Sequence, residues 1–374
     1  MGKHDQRGDT QSVDIYSSAK KQKRAVKRGK KNKKSRTRKI IISILSVLVG
    51  FCILVSGLLI FALNYFDYNK TDLDEDLLGA QLDDSEDYVK NIALFGIDTR
   101  NQETMKGLSD SIMIMSVDTQ NKTIKLVSVM RDSVVRVNGK VTKINSAYST
   151  GGHERAIRTL NENFGLDITD YATVNFSGMI GLIDMVGGIE AEVTKNEFNR
   201  ATAYGSLNDL IREQAALMGL KNPELLEGPG KQMLTGIQAV AWSRIRMQAT
   251  AEGERDDYGR TARQRHVLKQ LFSRASNMSF TKYPKFIKKL LPYVETSLSY
   301  KEIIKLAPAI KGGTLESARI PYENTLIGSG SGVPAGLYYN LDYASELIKG
   351  FLYDGKTFEE YVVENPIDKT PWVK

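Results

Sequence analysis

Residues 91–130 read NIALFGIDTRNQETMKGLSDSIMIMSVDTQNKTIKLVSVM, and they decide the fold class. Three apolar runs stand in this stretch: 91–97 (NIALFGI), 111–117 (SIMIMSV) and 123–130 (TIKLVSVM). Each has the length and bounding of a strand. The second is apolar nearly throughout instead of alternating. That predicts burial on both faces, and so helices on both sides of a sheet. Between the second and third runs lie five polar residues, 118–122 (DTQNK), a hairpin loop. If the first run also pairs antiparallel with the second, three loop ends meet at one edge of the sheet. Asp98 follows the first strand, Asp110 immediately precedes the second, and Arg131 and Asp132 follow the third.

Downstream, periodicity and punctuation predict alternating elements. Helices are expected over 143–164, 177–186, 234–242, 257–276, 281–296, 300–310 and 341–352. Strands are expected over 171–176, 189–193 and 315–320. The 257–276 helix takes Asp256 or Asp257 as its N-cap. Residues 195–231 are polar and poorly patterned, and read as loop with short helices. Glycine pairs at 151–152 and 187–188 and the 328–332 loop read as turns. This alternation gives an α/β fold: an α-β-α sandwich with a central mixed sheet.

Upstream, residues 40–63 (IIISILSVLVGFCILVSGLLIFAL) carry no charge. As a helix they are about 36 Å long, at ~1.5 Å per residue, enough to cross a ~30 Å hydrocarbon core. A core helix would show a polar face, and none exists. A cleaved signal peptide would have a shorter apolar run and a small-residue site, whereas this run ends in Asn64-Tyr65-Phe66. One uncleaved transmembrane helix is therefore expected. Arg36, Arg38 and Lys39 precede it, and Asp67, Asp72, Asp74, Glu75 and Asp76 follow. The positive-inside rule then places residues 1–39 in the cytoplasm and the rest outside.

The net charge of +8 divides unevenly. Residues 1–39 hold 15 Lys or Arg against 3 Asp, a net +12, so the remainder sums to −4. The tail is too polar to fold and suits anionic lipid. Residues 64–88 read as an acidic linker, and 89–374 as the folded outer domain. Its mild acidity argues against nucleic acid as a partner. Cys52 stands alone, inside the apolar run, so no intrachain disulfide exists. His4, His153 and His266 lack zinc-site spacing.

The chemistry concentrates in two places. Two carboxylates and an arginine converging at a sheet end suit a divalent cation beside a phosphate. Magnesium takes one or two carboxylates plus phosphate oxygens and water. The bland reading of Asp98 and Asp110 is turn and cap chemistry. The second place is Arg244 and Arg246, followed by Arg260, Arg263 and Gln264 at i, i+3 and i+4 in the first turns of a helix. A helix N-terminus favours anions, and guanidinium forks bind phosphate oxygens two at a time. The bland reading here is a salt-bridge network with Glu254, Asp256 and Asp257. No P-loop, G-x-S-x-G elbow or H-E-x-x-H motif competes. Met179, Ile180, Ile183, Val186, Val240, Val267, Leu268, Leu271 and Phe272 would line a dry channel, or serve as ordinary core.

FGIDTR (95–100), SDSIMIMSVD (109–118), SVMRDS (128–133), KINSAYSTGG (143–152), VNFSGMIGLIDMVGGIE (174–190) and the SRIR to DDYGRTARQR run (243–265) resemble the LytR-CpsA-Psr family of Gram-positive cell-wall enzymes. The matching blocks run from about residue 90 to 270. The resemblance implies a phosphotransferase, anchored in the cell membrane with its catalytic domain outside. It would move a glycopolymer (teichoic acid, capsule or another wall polysaccharide) from an undecaprenyl-pyrophosphate carrier to peptidoglycan, leaving a phosphodiester. By position, Asp98 and Asp110 would hold magnesium, with manganese as a substitute. Arg131, Arg244, Arg246, Arg260, Arg263 and Gln264 would bind pyrophosphate, with Asp98, Asp110, Arg131, Arg244 and Arg260 as the catalytic set. The stretch from Arg246 to Asp257 is long for the family. Two other readings use the same chain: a pyrophosphatase acting on these lipids, and a membrane-bound regulator whose basic tail contacts DNA.

Overall fold

The computed structural model describes residues 73–370, apart from 75–76, 80–87, 99–104, 204, 280, 282, 324 and 328–333. The chain divides into two compact units, Met1–Phe66 and Asp67–Lys374. The first, with the expected transmembrane segment, lies outside the described residues, as do most of the linker and the whole 328–332 loop. Among the described residues no helix is long and apolar enough to cross a membrane.

In chain order the elements are β1 (Val89–Asp98), β2 (Leu108–Asp118), β3 (Thr123–Val129), β4 (Val134–Val137), β5 (Lys140–Lys143), α1 (Ser146–Phe164), β6 (Asp170–Asn175), α2 (Phe176–Met185), β7 (Ile189–Val193), α3 (Lys195–Asn199), α4 (Leu207–Leu217), β8 (Gly230–Leu234), α5 (Gly236–Ser243), α6 (Asp256–Ser276), α7 (Tyr283–Leu290), β9 (Glu295–Thr296), α8 (Tyr300–Ile310), β10 (Thr314–Ile320), α9 (Leu341–Leu352) and α10 (Phe358–Glu364). Six strands form a mixed sheet in the order β10-β3-β2-β1-β6-β9. The expected meander is there: β1 and β3 both pair antiparallel with β2. β6 runs parallel to β1, and β10 parallel to β3. Asp118 fastens the β2–β3 loop by accepting from the backbone N–H groups of Gln120 and Asn121.

The apolar runs are buried on both faces, as their patterning predicts. From β1, Ala93, Phe95 and Ile97 enter a core with α1 and α9. Ile92 and Leu94 face the other way, into a cluster with Leu298, Leu306 and Ala309. Burying a side chain such as Phe95 contributes about 1.5–3 kcal/mol. A third core joins α2, α4, α5, β7 and β8. The expected strand at 189–193 is present, but it pairs with β8 in a separate two-stranded sheet.

Several elements depart from expectation. The 281–296 helix stops at Leu290, and a 3₁₀ turn at Leu291–Tyr293 leads into β9. Pro292 accounts for this, since a proline cannot donate inside a helix. Residues 195–231 contain two helices fixed by capping boxes, Thr194 with Glu197 and Ser206 with Asp209. The N-cap of α6 is Arg255, so Asp256 and Asp257 occupy its first turn instead. Carboxylates there complement the helix dipole.

Candidate phosphate site and apolar cleft

Asp110 lies inside β2, not before it. Gly96 pairs with Ser111 and Ile97 with Ser109, so the register skips Asp110. Asp110 is thus the extra residue of a β-bulge, a device that bends a strand and re-aims a side chain. The Asp110 carboxylate meets Arg131 at the end of β3, Oδ1 accepting from Nη1 at 2.5 Å. Its other oxygen is 3.7 Å from Arg260 Nη1 and 3.8 Å from Arg246 Nη2. A second carboxylate completes the cluster. Asp257 Oδ1 lies 2.8 Å from Arg260 Nη2, 3.7 Å from Arg131 Nη2 and 3.9 Å from Arg246 Nε. Sequence reasoning left Asp257 as a capping or pairing acid. Its spacing to Arg260, i to i+3 on one helix face, was the available signal.

Three guanidinium groups against two carboxylates leave this cluster one positive charge in excess. Burial is the first influence on Arg260, and with repulsion from Arg131 and Arg246 it pulls the guanidinium down to about 10 despite Asp257 and Asp110. Arg260 is therefore still charged at neutral pH, but it is held in a site where an added anion lowers the energy. For Arg131 the effect of burial is outweighed by Asp110, Asp257 and Asp132, and its guanidinium is raised. Asp132 is tied in turn to Lys143 Nζ at 2.8 Å. That ion pair, with Arg131 and Arg260, holds its carboxyl below the ordinary value against the opposing effect of burial.

The other expected residues divide. Asp98 is exposed at the end of β1, paired with Leu108 two residues before Asp110. Gln264 lines the same cleft wall as Asp110. Arg244 is not gathered into the cluster. It caps the end of α5, donates to Gln214 Oε1 at 2.9 Å, lies 3.6 Å from Glu213 and stacks 5.1 Å above the Phe176 ring. Arg263 is directed elsewhere altogether. Its guanidinium is buried, pairs with the fully buried Glu197 at 2.6 Å, and donates to the carbonyls of Ile245 and Gln248. The structure does not bring Arg263 to the anion site: i, i+3 spacing put it on the correct helix, but its long side chain leans away toward the α2–α5 core.

Beside the cluster opens an apolar cleft of about 200 Å³. Asp110, Ser111 and Gln264 lie at its polar end, Leu94 and Ala172 line it farther back along the strands, and Val294 lines it from beside β6. Phe176, Met179, Leu182, Val240, Val267 and Leu268 supply the helical wall. Of the nine channel candidates, Met179, Val240, Val267 and Leu268 line the cleft. Ile180 and Ile183 are core with β7 and α5, Leu271 packs on that core, Phe272 on the one beneath α8, and Val186 caps the end of α2 away from the cleft lining.

Among the described residues no three Asp, Glu, His or Cys side chains are grouped to hold a metal ion. Asp98, at the end of β1, and Asp110, in the β2 bulge, are the two expected magnesium ligands. Magnesium takes one or two carboxylates with phosphate and water, and here it would share the Asp110 carboxylate with Arg131, Arg246 and Arg260.

The LytR_cpsA_psr family model matches residues 62–344. The Bacillus subtilis polyisoprenyl-teichoic acid–peptidoglycan teichoic acid transferase TagV is 30% identical over 288 residues, covering 75% of this chain and 66% of TagV. A Bacillus cereus TagU of the same description is 30% identical over 254 residues, covering 67% of this chain and 72% of its own length. The crystal structure of B. subtilis TagV superimposes with a TM-score of 0.53 at 27% identity, covering 71% of this chain and 98% of that one. This chain thus spans about two thirds of full-length TagV. With the family model matching most of the chain, and with the fold and blocks in agreement, the protein belongs to the LytR_cpsA_psr family.

Proposed function

We propose that the protein transfers a glycopolymer from a polyprenyl-pyrophosphate carrier to peptidoglycan, on the outer face of the membrane to which residues 40–63 anchor it. One observation carries the reading: an arginine cluster with excess positive charge sits at the polar end of an apolar cleft. That pairing fits a ligand with a pyrophosphate head and a hydrocarbon tail. TagV and TagU, by their names, act on polyisoprenyl-linked teichoic acid and peptidoglycan.

In this reading Arg131, Arg246 and Arg260 bind the pyrophosphate oxygens, and Gln264 donates beside them. Phosphoryl transfer needs positioning and charge neutralisation more than covalent help. A hydroxyl of the acceptor sugar attacks the phosphorus nearer the glycan. The new O–P bond forms as the bond to the bridging oxygen breaks, and polyprenyl phosphate leaves with those electrons. The guanidinium groups stabilise the charge that builds on the leaving oxygens. Asp98, exposed at the strand end, or another nearby carboxylate accepts the hydroxyl proton. Asp98 and Asp110 would also hold a magnesium ion, which when bound supplies further charge neutralisation at the phosphates. Arg244, on the Phe176 ring at the cleft wall, orients the ligand from the side. Residues 1–39 would remain inside as a topology and lipid-contact segment.

Lipid extraction from the purified full chain tests this directly. A co-purifying polyprenyl phosphate or pyrophosphate supports both cluster and cleft. Lipid extracts that hold only bulk membrane lipid, even after incubation with polyprenyl pyrophosphate, oppose it. The hydrolase alternative is separated by product: with acceptor present it yields glycan phosphate in place of a wall-linked phosphodiester.

A further inference from the structure

Residues 281–311 carry seven lysines and two acids, a net +5 inside an outer domain whose total is −4. Both acids are already engaged. Glu295 is bound by His153 and accepts from Tyr171. Glu302 caps α8 and pairs with Lys90 at 3.3 Å. Lys285, Lys288, Lys289, Lys301, Lys305 and Lys311 are exposed. On α7 the apolar side is turned inward, with Ile287 buried. A local excess of this kind on an acidic domain is a charged face, not a uniform solvated surface.

Its position gives the face a purpose. The segment packs on α2: a Cβ added at Gly178 would lie 2.4 Å from the Tyr293 carbonyl, and one at Gly181 would lie 2.9 Å from the Tyr293 ring. Val294, next in line, forms part of the apolar cleft. The start of β1 lies beside α8. Lys90, the second residue of β1, contacts Asp170 and Glu302. The arginine cluster stands at the opposite end of β1, and the cleft runs from it past Leu94 and Ala172 toward the start of that strand.

We propose that α7, the following turn and α8 form a docking face for anionic lipid headgroups, which sets the tail end of the cleft against the bilayer. The proposal rests on the reading that the cleft takes a polyprenyl lipid, but its test does not. Lysines at a membrane surface are attracted to anionic headgroups, and the attraction decays within a Debye length. Exposed lysines beside inward-facing Ile287 and the half-exposed Tyr293 have the composition of an interfacial contact. The cleft holds only part of a long isoprenoid, so the remainder stays in the bilayer if this end faces it.

The test uses the full chain with Cys52→Ser, in nanodiscs free of polyprenyl lipid. A nitroxide on Lys288→Cys reports collision with a water-soluble nickel chelate. Replacing half of a phosphatidylcholine bilayer with phosphatidylglycerol should cut that collision rate several-fold. High salt, or Lys285→Glu with Lys301→Glu, should restore it. A label at Lys140→Cys, on the β4–β5 hairpin that packs with α1 across the sheet from α8, should not respond. Equal accessibility of position 288 in both bilayers overturns the proposal. So does equal protection by soluble polyglycerol phosphate, which would make the face a reader of phosphate polymers instead.

Discussion

Replacing Arg263 separates a structural arginine from the functional ones a few residues away. Arg263 and Glu197 have no exposed side-chain surface and form one ion pair. Glu197 is committed on both oxygens, one to Arg263 Nε and the other to the Thr194 backbone N–H at 2.6 Å. In Arg263→Met the carboxylate loses its charge partner without gaining water. Breaking a buried pair this way costs about 3–5 kcal/mol. The vacated carbonyls of Ile245 and Gln248 each add about 1 kcal/mol unless solvent reaches them. At ~2–4 °C per kcal/mol for large domains, the unfolding midpoint should fall by roughly 6–20 °C from the broken pair alone, and by roughly 10–28 °C if the carbonyls stay dry. Adding Glu197→Gln should recover much of this, because the uncompensated charge is gone. Thermal unfolding followed by circular dichroism measures both variants. An Arg263→Met protein that unfolds at the wild-type temperature yet no longer binds pyrophosphate would refute the reasoning.

Other outcomes follow from the same geometry. Arg260→Lys keeps a charge but not the fork that spans Asp110 and Asp257, so transfer should fall by about 10²–10³, as when a preorganised donor is removed; single-turnover rates measure this. Leu268→Trp should fill much of the cleft and raise the KM for lipid substrate with less effect on kcat, as read from initial rates against substrate concentration. Glu295 is held below its ordinary 4.5 first by the hydrogen bond from His153 and then, against burial, by Tyr171. Its folded value is thus below its unfolded one. The stabilisation is complete above the unfolded value and is lost as pH falls through the folded one. Denaturant midpoints should therefore decline on acidification below about 4.5, and Glu295→Gln should flatten that limb.

Much of the fold was legible because its strongest signals are local. The unbroken apolarity of 111–117 announced two covered faces, and the polar loop at 118–122 fixed one hairpin. That hairpin carried the convergence of Asp110 and Arg131. What sequence could not give was set by tertiary placement. The bulge that turns Asp110 toward three arginines appears only in the pairing register with β1. Arg263 and Gln264 flank Arg260 on the helix, and nothing in their spacing says that a buried glutamate 66 residues upstream claims the first. Arg244 and Arg246 would share a face in extended chain, but Arg244 still caps α5 and turns to Gln214. The two helices within 195–231 are a different matter. Thr194 with Glu197 and Ser206 with Asp209 are capping-box spacings, readable from sequence, and the low apolar content masked them.

The central claim is that the arginine cluster and cleft serve transfer to an acceptor and not hydrolysis. Full-length protein should be given a polyprenyl-pyrophosphate glycan, magnesium and peptidoglycan, and the wall fraction examined by phosphorus NMR. The account predicts a phosphodiester on the peptidoglycan and an equal yield of polyprenyl monophosphate, both abolished together in Arg131→Ala. Polyprenyl monophosphate released at the same rate with or without peptidoglycan, and no phosphodiester in the wall, would contradict it.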